Sequence, residues 1–278
     1  MLQTDKRVNL VGKVGSMALI RREDNDIDYN ILSRLGDELR PGMIWVTSGA
    51  AEIGRLDYMK RNGGRELTGD AEECKTDYSA QGQSILMANY RQFIHPEYSV
   101  RQLLVEHQHF NDPEKRLHIQ HALERAISQN AIPIINYNDP VSDEETRKLE
   151  LTELRRKSEH VVECIDNDET AAVVSDLMCS KYLLIMTSTE GIYSDPTDPT
   201  TLVDEIRADS AESCIEKIRL MQQHCKGTSR KGSGGAYAKL EFSIAPVQRG
   251  TIVLIAHARH RISDILSGKV AHTRIGVY

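Results

Sequence analysis

The segment from Ile165 to Pro196, IDNDETAAVVSDLMCSKYLLIMTSTEGIYSDP, limits the possible fold more than any other part of the chain. It opens with Asp166-Asn167-Asp168-Glu169, and Asp and Asn are favoured at helix N-termini. Thr170 to Cys179 is rich in Ala and Val at helical spacing. The apolar run Tyr182 to Met186 then reads as a buried strand. It ends in a small polar loop, Thr187-Ser188-Thr189-Glu190-Gly191. A polar helix start and a polar strand exit therefore fall close together in sequence. In open α/β sheets, ligands bind in the crevice beyond the carboxyl ends of the strands.

The remaining segments repeat this grammar. Val8 to Val14 reads as the first strand, ending in Gly12-Lys13-Val14-Gly15-Ser16. Asp28 to Leu39 carries apolar residues at Ile31, Leu32, Leu35 and Leu39, a helical period. Met43 to Thr47 is a short strand followed by Ser48-Gly49-Ala50-Ala51. Strand, helix, strand predicts a βαβ unit and a parallel sheet. Asp57 to Thr76 is polar and Gly-bearing, and reads as a loop or an exposed helical excursion. Gln81 to Phe93, Pro113 to Gln129, Ala211 to Cys225 and Leu240 to Arg249 read as helices, with a short one at His260 to Leu266. Val100 to Glu106, Ala131 to Ile135 and Thr251 to Ala256 read as strands, and Lys269 to Tyr278 as an edge strand. Ser142 to Val161 alternates in charge, which fits a solvated hairpin or helix, or a cover over a site.

Composition narrows the class. With 278 residues, 40% hydrophobic and 27% charged, the chain is an ordinary globular one. A formal net charge of -6 argues against a dedicated nucleic-acid binder. The five cysteines, Cys74, Cys164, Cys179, Cys214 and Cys225, show no Cys-x-x-Cys spacing, so a reducing cytosol fits better than a disulfide framework. The opening MLQTDKRVNLVGKVG lacks an apolar core of signal-peptide length, and no apolar run approaches the ~20 residues of a membrane span. The expectation is a single cytoplasmic α/β domain over residues 1–278, with no membrane or nucleic-acid partner.

Five polar or small-residue groups sit at strand ends or helix starts: Gly12 to Ser16, Ser48 to Ala51, Asn136 to Asp139, Asp166 to Asp168 and Gly232 to Lys239. Gly-rich turns free backbone N–H groups to face an anion, and a helix start adds its dipole. Lysines nearby neutralise phosphate charge. Each group alone has a plain reading: Lys13 as a surface lysine, Asp166 to Asp168 as a helix cap, Asn136 to Asp139 as a turn, Gly232 to Gly235 as a flexible loop. Together they describe a phosphoryl-transfer site. G-x-x-x-x-G-K-[ST] is absent, as is a G-x-G-x-x-G after the first strand. His118 and His121 have helical spacing but no HExxH, so histidine metal ligation is not expected.

In this order, the groups resemble the amino acid kinase superfamily, most closely its glutamate 5-kinases. The residues that carry the likeness are Lys13-Val14-Gly15-Ser16, Val46 to Ala50, Gly82-Gln83, Ile132 to Asp139, Asp166 to Asp168, Gly191-Ile192-Tyr193, Gly232 to Gly235 leading to Lys239, and His272-Thr273-Arg274. The resemblance implies a three-layer αβα sandwich with a mainly parallel central sheet. It implies transfer of the ATP γ-phosphoryl group to the side-chain carboxylate of glutamate, the first step of proline synthesis. Lys13, Lys239 and Asp168 match the catalytic positions, the two lysines steadying the transferring group and the acid holding them. Ser48, Gly49, Asp139 and Asn167 match acceptor-binding positions. Lys13, Gly15, Thr187, Ser188, Ser233, Gly234, Gly235 and Lys239 match nucleotide-binding positions, with Gly15 and Gly49 offering backbone N–H groups. Mg²⁺ would arrive with ATP and take no ligand from protein side chains. The N-terminal part would bind the acceptor and the C-terminal part the nucleotide, without the RNA-binding-like domain that many bacterial members add, and as a homo-oligomer. Four departures stand out: Thr187-Ser188 for the usual Thr-Asp, Tyr137 for the usual Glu, Ser233 for Thr, and a longer stretch between Asp139 and Asp166. They leave open a different carboxylate or a phosphate or phosphonate acceptor, or a non-catalytic binding member of the fold.

Overall fold

In the computed structural model, the described residues are 8–21, 23–142, 144–158, 161–164, 166–225 and 235–278. The strands are β1 (Leu10–Val14), β2 (Ile20–Arg21), β3 (Asp26–Ile27), β4 (Met43–Thr47), β5 (Ser99–Val105), β6 (Ala131–Tyr137), β7 (Tyr182–Thr187), β8 (Glu205–Ala208), β9 (Ile252–His257) and β10 (His272–Val277). The helices are α1 (Tyr29–Glu38), α2 (Ala50–Arg61), α3 (Ala71–Phe93), α4 (Gln108–Asn111), α5 (Pro113–Ser128), α6 (Glu144–Lys157), α7 (Asn167–Leu177), α8 (Ala211–His224), α9 (Ala236–Gln248) and α10 (Ile262–Leu266).

Eight strands form one sheet in the order β5-β6-β4-β1-β7-β9-β10-β8, and β2 and β3 make a small separate hairpin. From β5 to β9 all pairings are parallel; β10 runs antiparallel to β9, and β8 parallel to β10. Alternation along each strand feeds two cores. Val11, Val46, Ile185 and Ile255 point into one, with residues of α5, α7, α8 and α9. Leu10, Trp45, Leu184 and Leu254 point into the other, with residues of α1, α2, α3 and α10. Helices on both faces of a mainly parallel sheet make the expected three-layer αβα sandwich, and they explain why β7 is apolar without a break.

Two close backbone approaches set the spacing of α2 and α3. A Cβ on Gly54 would lie 1.8 Å from the Tyr78 carbonyl oxygen, and one on Gly82 would lie 1.8 Å from the Ala50 carbonyl oxygen. Helices α2 and α3 thus cross with their main chains in contact. In the sheet, a Cβ on Gly12 would lie 2.0 Å from the Trp45 ring, so Gly12 makes room for that indole. Trp45 Nε1 donates to Tyr90 OH (3.0 Å), which lies 2.9 Å from Thr47 Oγ1. Burial pushes the Tyr90 phenol up to about 12, so it stays a neutral bridge holding the end of β4.

One expectation needs correction, and two stretches left open between alternatives resolve toward helix. Asp57 to Thr76 is helical at both ends: α2 runs to Arg61 and α3 starts at Ala71, capped by Asp70, whose carboxylate accepts from Glu72 and Glu73 N–H. β10 is not at the sheet edge, because the short, alternating β8 pairs along its outer side. The charged stretch after Ser142 is helical from Glu144 to Lys157, pinned by the buried Leu151 and by His107 Nε2, 3.0 Å from Glu150 Oε2. Among the described residues, no helix is long and apolar enough to cross a membrane.

Candidate active site

The sheet delivers three residues from distant parts of the chain to one point. Lys13, next to last in β1, places Nζ 2.5 Å from Asp168 Oδ1. Lys239, in the first turns of α9, places Nζ 2.9 Å from Asp168 Oδ2. Asp168 lies in the first turn of α7, held there by Asp166, whose side chain accepts from the Asp168 N–H (2.9 Å). The Asp168 side chain is wholly buried, and those of Lys13 and Lys239 are 8% and 14% exposed. Burial alone would push the Asp168 carboxyl up; the Lys13 and Lys239 ammonium groups outweigh it and hold the group below the usual carboxylate range. A depressed folded pKa adds stability in full above the ordinary carboxylate value, and that stability is lost as pH falls through the folded value. Urea unfolding of wild type and Asp168→Asn should therefore differ most near neutral pH and converge in acid.

A second network starts at the neighbouring residue. Asn167 Nδ2 donates to the Thr47 carbonyl (3.1 Å), to Ser48 Oγ (2.9 Å) and to Asn136 Oδ1 (3.1 Å). Asn136 Nδ2 in turn donates to Gln83 Oε1 on α3 (2.8 Å). Ser48, Asn136 and Asn167 are thus tied to the Asp168 cluster through α7. Asp139, three residues past Asn136, pairs instead with Lys75 of α3 at 3.1 Å.

Helix starts add a third feature. Among the helices of ten residues or more with a described N-cap, α1, α3, α5, α7 and α8 are capped by the side chains of Asp28, Asp70, Asp112, Asp166 and Ser210. The two exceptions are α2 and α9, which begin after Gly49 and Gly235 with no side-chain cap. These are the helices that start at the site. An uncapped start presents N–H groups and the positive end of the dipole to an anion. Gly49 has φ +102°, left-handed backbone that favours glycine.

Of the residues expected at the nucleotide, the structure describes only some. Thr187 ends β7, and its carbonyl accepts from Ala258 N–H (2.8 Å); Ser188 is exposed just beyond. Gly15 N–H donates to the Met186 carbonyl at 3.1 Å, so sheet pairing engages the donor expected to face phosphate. Gly235 caps α9, while Ser233 and Gly234 lie outside the described residues. Tyr137 does not face the Asn136–Asn167 network. It packs in the core shared with α5 and α7, its OH 2.8 Å from Ser142 Oγ and the Arg147 guanidinium of α6 over its ring. Among the described residues no group of three or more His, Cys, Asp or Glu is placed to hold a metal.

The sequence model described as the amino acid kinase family matches residues 10–257. The chain belongs to the amino acid kinase family. Curated relatives carry the name glutamate 5-kinase. One from Dehalococcoides mccartyi is 29% identical over 95% of this chain and 65% of its own length. One from Shouchella clausii is 29% identical over 85% of this chain and 58% of its own, and one from Alkaliphilus metalliredigens is 25% identical over 92% and 89%. The chain thus spans about six-tenths of the length of the first two relatives. Solved structures share the family fold. Carbamate kinase from Giardia lamblia bound to AMP-PNP aligns with TM-score 0.60 and 13% identity over 98% of this chain and 99% of that one. UMP kinase from Ureaplasma parvum aligns with TM-score 0.55 and 12% identity over 96% and 98%.

Sequence reasoning placed the Lys13, Asp168 and Lys239 group, and Ser48 with Asn167. It gave no role to Lys75, which fell in the stretch read as a loop or an exposed helical excursion. Asp70 followed by two acids is a helix-start signal that would have extended α3 back to Lys75.

Proposed function

We propose that this chain transfers the γ-phosphoryl group of ATP to the side-chain carboxylate of L-glutamate. The observation that carries the reading is the pair of lysine ammonium groups on opposite oxygens of the buried Asp168. The relatives named glutamate 5-kinase support the choice of acceptor.

The chemistry follows from charge. A carboxylate oxygen attacks the γ-phosphorus, the bond to the β,γ-bridging oxygen breaks, and its electron pair leaves with ADP. Both reactants are anions, so approach is opposed by repulsion. Lys13 and Lys239 would offset it and steady the charge on the equatorial oxygens. Asp168 keeps both cations placed and spaced. No general base is needed, because the acceptor attacks already ionised. The uncapped starts of α2 and α9 would add N–H donors along the phosphate path. With both Asp168 oxygens engaged by lysines, Mg²⁺ would be carried by the nucleotide phosphates and neutralise part of their charge. The N-terminal part, with Ser48, Gly49, Asn167 and Asp139, would hold the acceptor; Thr187, Ser188 and residues 233–239 would hold the nucleotide.

The test is ADP release together with trapping of the acyl phosphate by hydroxylamine. Product that needs both ATP and L-glutamate is expected. A second reading keeps the reaction and changes the acceptor to another carboxylate or a phosphate or phosphonate compound. It is favoured by α6, whose N-terminal Glu144 N–H donates to Glu72 beside the Lys75–Asp139 pair. An acceptor screen separates the two: hydroxamate from another acid but none from glutamate would exclude the first.

A further inference from the structure

One stripe of α3 has no role in the reading above. Lys75, Ser79 and Gln83 are four residues apart, so they share a face. Gln83 Oε1 accepts from Asn136, and Lys75 Nζ lies 3.1 Å from Asp139, so the stripe runs against the chain from Asn136 to Asp139.

Three polar atoms here are buried with no protein partner: Ser79 Oγ, Gln83 Nε2 and Asn167 Oδ1. Ser79 is fully buried and Gln83 is 8% exposed. Unpaired buried polar atoms are costly, and each calls for an explanation. The hydrogen-bond chain fixes what each can do. The Thr47 carbonyl only accepts, so the amide end of Asn167 that meets it is the nitrogen, and Oδ1 is left as an acceptor. Asn136 Oδ1 already takes Asn167 Nδ2 and the Tyr137 N–H, so its Nδ2 donates to Gln83 Oε1. That leaves Gln83 Nε2 as a donor. The α3 side therefore presents an amide N–H, a hydroxyl and an ammonium group. The opposite side presents the Asn167 carbonyl and the Asp139 carboxylate.

An α-amino acid headgroup carries the matching set, a carboxylate for donors and an ammonium group for acceptors. We propose that Lys75, Ser79 and Gln83 form the α-carboxylate half of the acceptor pocket, facing an α-ammonium half made by Asp139 and Asn167 Oδ1. The inference rests on the acceptor-phosphorylating reading above and specifies its substrate class as zwitterionic α-amino acids. In the structure the two halves meet through the Lys75–Asp139 pair. That pair adds little to stability, since the Lys75 side chain is 62% exposed.

The test compares L-glutamate with 4-aminobutyrate, the same acid without its α-carboxylate, by calorimetric titration. Wild type should bind glutamate about tenfold or more tightly than 4-aminobutyrate. Lys75→Ala should weaken glutamate about tenfold and leave 4-aminobutyrate within about twofold, with Lys75→Arg restoring most of the loss. Gln83→Glu should show the same selective loss, because it keeps the oxygen that accepts from Asn136 and turns the donor into a second anionic oxygen. Equal losses for both ligands, no preference in wild type, or no binding of glutamate would each overturn the proposal. ADP release on the same proteins keeps the two readings apart. Selective binding without ADP would refute the kinase reading alone; ADP formation indifferent to Lys75 would refute this one alone.

Discussion

Lys13→Ala and Lys239→Ala should each lower kcat by about 10²–10³-fold, the loss typical of removing one preorganised charge-stabilising donor. The effect should fall on kcat more than on the KM for the acceptor, because the lysines act most strongly as charge spreads in the transition state. Folding should survive in each single variant, since Asp168 keeps one of its two cations. Circular dichroism and thermal unfolding check that, and steady-state ADP release gives the rates. The double variant should lose less than the product of the two single losses, because both lysines serve one group through one acid. Turnover unchanged in either single variant would refute the assignment.

Gly54→Ala and Gly82→Ala should give the largest losses of stability. The new methyl would sit 1.8 Å from a carbonyl oxygen of the partner helix, so main chain, not a side-chain tip, has to move. Overpacking in a tight core costs about 1–3 kcal/mol, occasionally more, and rigid backbone puts these two at about 3 kcal/mol or above. For a chain this size that corresponds to a fall in Tm of about 6–12 °C. The site should feel it too. Gly82 meets the Ala50 carbonyl in the first turn of α2, the helix that starts after Ser48 and Gly49. Each folded variant should therefore show a raised KM for the acceptor. A Tm within a degree of wild type would show that the helices are not held at this spacing.

The layered fold was legible because the sheet is buried on both faces. β4 and β7 are unbroken apolar runs, and such runs survive any uncertainty about their helices. The charge triad was legible only through the resemblance to the amino acid kinase family; by position alone Lys13 read as a surface lysine at a strand end and Asp166 to Asp168 as a helix cap. Helix α2 and the first ten residues of α3 were not. Their exposed faces are polar, and Gly63, Gly64 and Gly69 between them left loop and helix both open in the sequence. β8 was missed because Glu205–Ala208 is only four residues long, its exposed Glu205 and Arg207 alternating with buried Ile206 and Ala208. Tyr137 was expected near the acceptor because it interrupts a familiar run. Strand alternation sends it to the opposite face from Asn136, under α6.

Lys13 and Lys239 stand near the two ends of the described chain, and one carboxylate joins them. A chain still emerging from the ribosome, complete only through β7, would own the first lysine and the acid but not the second. Such an intermediate would hold a half-neutralised charge in its interior and no working centre. The ion-paired cluster is therefore complete only once α9 has docked beside α7.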